Sequence, residues 1–176
     1  NELASKNRVT FRFADGATRE LEPVAVCPTL FETFAYKNTA LADGSRVVIG
    51  AKFPGFKWPE DNIFAGVVAH ELGHNLLGHT KWLDRNKRTF RHTRLTEREA
   101  DRLMPWLLAN AGFDPQDAVR FMTRWGKKHG LGLLRSRKYE GWDERAEHIA
   151  AEVPIVRDLM ERTGKADWSV YFRREI

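Results

Sequence analysis

Cysteine is almost missing from this chain. Cys27 stands alone among 176 residues, so no intrachain disulfide can form, and cysteine usage leaves the redox compartment open. Long apolar runs are missing as well. No stretch approaches the roughly 18 to 20 residues that a membrane-spanning helix needs, which excludes such a helix within these residues. Repeats, low-complexity tracts and linker-like segments are absent, which excludes a solenoid and argues for one domain over residues 1–176. An acidic excess is also lacking: Lys and Arg number 29 against 24 Asp and Glu, a net charge of +5. The chain opens at Asn1 with neither methionine nor a signal-type apolar stretch, the pattern expected of a processed or truncated product. What is present, 42% hydrophobic residues, suffices for a core.

The unusual stretch is "VVAHELGHNLLGH", residues 67–79, where three histidines and a glutamate interrupt an apolar run. A helix advances about 100° per residue, so His70 and His74 project from one face, one turn apart. Glu71 lies beside that face. In H-E-x-x-H two neutral imidazoles can bind zinc while the carboxylate takes a proton from the zinc-bound water. The competing reading is a pair of core histidines bonded to backbone carbonyls, with Glu71 turned outward.

A catalytic zinc needs a third protein ligand and an open fourth position. His79 does not match the metzincin spacing H-E-x-x-H-x-x-G-x-x-H, because Leu77 and Thr80 stand where its glycine and last histidine belong. It reads instead as a helix-end histidine. A better candidate lies in "TEREADRLMPWLLANAGFDP", residues 96–115. Thr96 with Glu99 three residues later has the form of a capping box opening a helix, and Leu103, Trp106, Leu107 and Ala111 continue its apolar stripe toward Gly112. Glu97 and Asp101 share one face. Glu97 can be the third ligand, and Asp101 can accept a hydrogen bond from the far nitrogen of a ligating imidazole and fix its tautomer. Glu99 fits a solvated first turn favoured by the helix dipole.

Together, "HELGH", "EREAD" and "AGFDP", preceded by "NTALADGSRVVIG", resemble the gluzincin metalloendopeptidases of the HtpX and CAAX prenyl protease type, in particular their small soluble members. The resemblance covers residues 30–150, and the family motifs H-E-x-x-H and E-x-x-x-D fall on His70, Glu71, His74, Glu97 and Asp101. It implies one Zn2+ per chain held by His70, His74 and Glu97, and hydrolysis of internal peptide bonds in protein or peptide substrates bound along a sheet edge. It also implies an extracytoplasmic location, periplasmic or on the membrane exterior. The fold expected is α+β and zincin-like, mostly helical with a small, mainly antiparallel sheet packed on the active-site helix. Relatives carry a histidine and a proline six and five residues before an arginine. In "RSRKYEGWDERAEHI" the arginine matches Arg145, while Tyr139 and Glu140 replace the other two. Tyr139 can donate to a developing oxyanion and Arg145 can add positive charge, so both join Glu71 as catalytic candidates. The replacement is equally compatible with a catalytically weak or inactive zinc-binding relative that acts as a chaperone or scaffold.

The rest of the chain is read more coarsely. "RVTFRF" (8–13) and "SRVVIG" (45–50) have strand character beside Asp15-Gly16 and Asp43-Gly44 turns, and Val47–Ile49 is the expected edge strand facing substrate. Helices are expected from Glu60 to Leu77, from Asp114-Pro115 to Lys127 with Val119, Phe121 and Met122 in the core, and from Asp143 to Arg162 with an interruption at Pro154. His129 falls in a glycine-containing loop that can border the cleft, His148 reads as a helix-face residue, and "WSVYFRR" alternates like a short strand. The cations of "KWLDRNKRTFRHTR" (81–94), with Trp82 and Phe90 among them, have the composition of a phosphate- or single-strand-binding loop. No nucleic-acid motif accompanies them. A solvated connecting loop accounts for them, and no nucleic-acid partner is expected.

Overall fold

The computed structural model describes residues 9–12, 18–21, 30–34, 38–57, 61–129 and 140–176. Strand β1 (Val9–Arg12) pairs antiparallel with β2 (Thr18–Leu21). A second sheet combines β3 (Leu30–Phe34), β4 (Ala40–Ala42) and β5 (Arg46–Gly50) in the order β3-β5-β4. Its β3–β5 pair is parallel and its β4–β5 pair antiparallel, so this sheet is mixed rather than mainly antiparallel. The β4–β5 hairpin follows from the Asp43-Gly44 pair. Asp43 Oδ1 accepts from the amides of Ser45 (3.0 Å) and Arg46 (2.8 Å), and Gly44 takes φ 102°, which a side chain would strain.

The expected edge strand is corrected by this topology. Val47–Ile49 lies in the middle strand, with Val47 fully buried and Val48 and Ile49 nearly so. A continuous run of β-branched residues fits a strand covered on both faces and paired on both edges, and it carries no free backbone groups for a peptide. Among the described residues the edges belong to β3 and β4.

The helices are α1 (Asp61–Leu76), α2 (His79–Asn86), α3 (Phe90–Asn110), α4 (Asp117–His129), α5 (Trp142–Thr163) and a single turn, α6 (Trp168–Tyr171). The α3 helix begins well before Thr96. Its N-cap is Thr89, whose side chain accepts from the His92 amide at 3.1 Å, whereas Thr96 is buried mid-helix with its hydroxyl donating to the Thr93 carbonyl at 2.9 Å. A short Ser/Thr-x-x-Glu pattern has a second solution in a helix interior, where the hydroxyl bonds back to the preceding turn. The basic stretch 81–94 is accordingly not a loop but most of α2, a tight connection through Lys87 (φ 66°) and the first turn of α3. Pro154 lies inside α5 without ending it, since that helix is clamped against α3 by Ile149, Val156 and Leu159. The tail is the turn of α6 rather than a strand, because Phe172 turns inward and meets Trp106 edge to face.

One core cluster gathers Val47, Ile49, Val67, Met104, Met122 and Ile149 between the sheet and the helices; a second surrounds Leu103, Trp106, Val156 and Leu159. Each such buried side chain contributes about 1.5–3 kcal/mol. The α3–α5 contact is fixed in register by polar bonds: Glu152 accepts from Trp106 Nε1 at 3.0 Å and from Arg102 Nε at 2.7 Å. That register also sets Arg145, two turns earlier on α5, against Asp101 of α3.

Candidate metal centre

The site forms where α1 crosses α3. A Cβ built on Gly73 would stand 3.3 Å from the Ala100 carbonyl oxygen and 3.4 Å from its Cα, so the two backbones approach more closely than any other residue at 73 would comfortably allow. His70 and His74 flank Gly73; Glu97 and Asp101 flank Ala100. The close approach therefore brings two imidazoles and two carboxylates face to face. His70 Nε2 and His74 Nε2 are 3.2 Å apart, and Glu97 presents one oxygen to each at 3.5 Å. Among the described residues, these three offer ligand atoms that all lie within 4.8 Å of one another.

Metal-binding chemistry fits this donor set. Adjacent ligand atoms around a tetrahedral zinc with bonds near 2.0–2.1 Å are about 3.3 Å apart, close to the spacings found. Charge points the same way. Asp101 is fully buried and Glu97 partly so, with Arg145 as their permanent cation. Burial alone would depress the His70 imidazole, but the Asp101 and Glu97 carboxylates outweigh it and push its pKa up to about 10. A proton on His70 thus answers a local deficit of positive charge that a divalent ion would satisfy. His74 behaves oppositely, with burial holding its pKa down to about 3 and the ring neutral. Burial would raise Glu97, yet His70, His74 and Arg145 hold it below the ordinary carboxylate range.

Asp101 is fully buried. Its Oδ1 lies 2.9 Å from His70 Nδ1, though off the ring N–H direction so that His70 Nδ1 has no aligned partner, and it accepts from Arg145 Nε at 2.6 Å and Nη2 at 2.9 Å. Burial would raise its pKa, but Arg145 and His70 lower it. Glu71 points to the sheet side. Its pKa is raised by burial, partly offset by His70, Arg145 and a hydrogen bond from the Ala42 amide of β4. The ladder bonds from Gly50 N to Thr39 O (2.9 Å) and from Asp43 N to Arg46 O (3.1 Å) place Ala40 and Ala42 in the alternate register, with their amides turned away from β5. Among the described residues, that edge of β4 is therefore paired with no other strand.

The structure brings together His70, Glu71, His74, Glu97, Asp101 and Arg145. Tyr139 lies outside the described residues, as does the side chain of His129. His148 is 40% exposed on α5, 3.6 Å from Glu140, on the helix face as expected. Two residues were assigned wrongly from sequence. Glu99 is not solvated but completely buried, accepting from His79 and Arg174, and His79 is buried at the start of α2 rather than capping α1. The available signal was Gly78, whose left-handed conformation (φ 69°) ends α1 and turns the chain so that His79 returns to His74. No protein-family model, no curated protein and no solved structure matches this chain.

Proposed function

We propose that the chain is a zinc-dependent metalloendopeptidase of the HtpX and CAAX prenyl protease type, working outside the cytoplasm, with His70, His74 and Glu97 holding one Zn2+. One observation carries the reading: three ligand atoms from two helices converge within 4.8 Å, with Glu71 on the same helical turn. When bound, zinc would supply Lewis acidity toward a peptide carbonyl and lower the pKa of water to about 7. The remaining work falls to the protein. Glu71, with its pKa raised by burial, would accept the proton of the attacking water and return it to the leaving amine. Asp101 orients His70, and Arg145 braces Asp101 and Glu97 from behind, which makes it a positioning residue in this scheme. Tyr139 remains the proposed donor to the oxyanion. A substrate strand would add to the open edge of β4 through the Ala40 backbone, the kind of main-chain pairing that leaves side chains free to vary.

Metal content and cleavage test this together. The purified chain should hold about one zinc, as expected of a site with three protein ligands and an open fourth position, and should degrade fluorescein-labelled casein. Glu71→Gln should keep the zinc and lose cleavage by roughly 10²–10⁴-fold, whereas Glu97→Ala should lose zinc affinity. Undiminished cleavage by Glu71→Gln refutes the catalytic assignment. Zinc binding without any cleavage by the unmodified chain would favour a scaffold instead.

A further inference from the structure

His74 is backed by a buried relay that the peptidase scheme does not use. Its Nδ1 lies 2.9 Å from Nδ1 of His79, and His79 Nε2 lies 3.0 Å from Glu99 Oε2. His79 is 1% exposed and Glu99 not at all. Glu99 Oε2 also accepts from Arg174 Nε at 3.2 Å and Nη2 at 2.9 Å; Glu99 Oε1 accepts from the backbone amides of Glu175 and, at 3.1 Å, Ile176.

The polarity of this chain of bonds is forced from its far end. A carboxylate surrounded by a guanidinium and two backbone amides is ionised and accepts only. His79 must then donate from Nε2. A neutral imidazole with its proton on Nε2 carries a bare Nδ1, so the short contact between the two Nδ1 atoms requires the proton of His74 to sit on Nδ1. That leaves the lone pair of His74 on Nε2, the atom 3.2 Å from His70 Nε2 and 3.5 Å from Glu97. The alternative places a proton on His74 Nε2, in the middle of the ligand cluster, and demands a doubly protonated His79 in a buried position.

We propose that His79, held by Glu99, is a positioning residue that fixes the tautomer of His74 and presents its Nε2 to the metal. The inference rests on the reading of His70, His74 and Glu97 as a metal site. It gives the two ligand histidines different supports. His70 is backed directly by the Asp101 carboxylate, 2.9 Å from its Nδ1, while His74 is backed by a carboxylate one imidazole further away. The interposed ring transmits the hydrogen-bond direction and keeps the charge of Glu99, with its Arg174 counter-ion, at a distance from the ligands. It also ties the backbone of residues 175 and 176 to the site through one side chain.

The test uses the full chain, first metal-free. Imidazole ¹⁵N–¹H correlation spectra should show the proton of His74 on Nδ1 and that of His79 on Nε2, which needs no variant. Zinc affinity is then measured by chelator competition for His79→Gln and His79→Leu, with metal-free melting temperatures recorded for both. Glutamine can accept from His74 and donate to Glu99 through its two amide atoms, so His79→Gln should bind zinc nearly as the unmodified chain does. His79→Leu can do neither and should bind about 10- to 100-fold more weakly, the usual effect of losing a partner behind a metal ligand. Equal affinity in His79→Leu, or a His74 proton found on Nε2, overturns the positioning role while leaving the metal site standing. An unmodified chain that takes up no zinc overturns the metal reading, and this inference with it.

Discussion

Asp101→Asn changes one atom in the part of the site where burial is most complete, and its effect can be worked out before any metal is added. Asp101 is 0% exposed and Arg145, its partner through bonds of 2.6 and 2.9 Å, is 16% exposed. The amide keeps one acceptor but turns an N–H₂ group toward a guanidinium that can only donate, and it removes the charge that balances that guanidinium. Removing one partner of a buried ion pair costs about 3–5 kcal/mol. Glu97, 3.5 Å from Arg145, offers partial compensation and argues for the lower end. At roughly 2–4 °C per kcal/mol for a chain of this size, a loss of about 3 kcal/mol lowers the metal-free melting temperature by about 6–12 °C. Differential scanning calorimetry at neutral pH in chelator gives that number directly. Arg145→Met should lower stability too, and the double variant should lose less than the sum, because each single variant leaves the other group stranded. A metal-free Asp101→Asn chain that melts within about 2 °C of the unmodified protein, or strictly additive single and double variants, would refute the claim that this pair anchors α5 to α3.

Two further predictions concern pH and packing. Without metal, stability should peak near the ordinary histidine value of 6.5 and fall on both sides. His70, raised to about 10, retains its proton in the folded chain and contributes stability that is full below 6.5 and lost as pH rises toward 10. His74 and His79 are depressed by burial, so the unfolded chain takes up their protons first and stability falls as pH drops below 6.5. Glu97, Glu99 and Asp101, all depressed, add to that loss below their ordinary values of 4.5 and 3.8, while Glu71, raised by burial, works against them. Urea titrations at several pH values would show the peak, and zinc should abolish its alkaline side; a steady rise toward pH 9 without metal would contradict the account. Gly73→Ala gains about 1 kcal/mol of helix propensity but sets a methyl group 3.3 Å from the Ala100 carbonyl, and overpacking of that kind costs about 1–3 kcal/mol. The helices must part slightly, so zinc affinity should drop with little net change in melting temperature. A variant that is both more stable and equally tight for zinc would show that the close approach is unimportant.

Several features could be read along the chain because their physics is local. The spacing of His70, Glu71 and His74 on one helix, and of Glu97 and Asp101 on another, follows from the 3.6-residue repeat, and the Asp43-Gly44 turn from a carboxylate that bonds its own following amides. Other assignments failed where a distant partner decided the outcome. Val47–Ile49 has the composition of either an edge or a central strand, and only the parallel addition of β3 on its far side made it central. Thr96 and Glu99 imitate a helix start, but Glu99 lies about 100° around α3 from Ala100, on the opposite flank from Asp101, where His79 and Arg174 receive it in the interior.

The sequence by itself thus determined the donor set, two imidazoles and a carboxylate on two helices with a glutamate beside them, because helical periodicity fixes which side chains share a face. Only the tertiary structure decided that those faces meet. That depended on Gly73, where even a Cβ would stand 3.3 Å from the Ala100 carbonyl oxygen, on Arg145 arriving from α5, and on His79 folding back past Gly78 to reach Glu99. Each of these joins residues distant along the chain, or on separate helices, by contacts whose strength comes from exclusion of water, a property no local pattern of residues expresses.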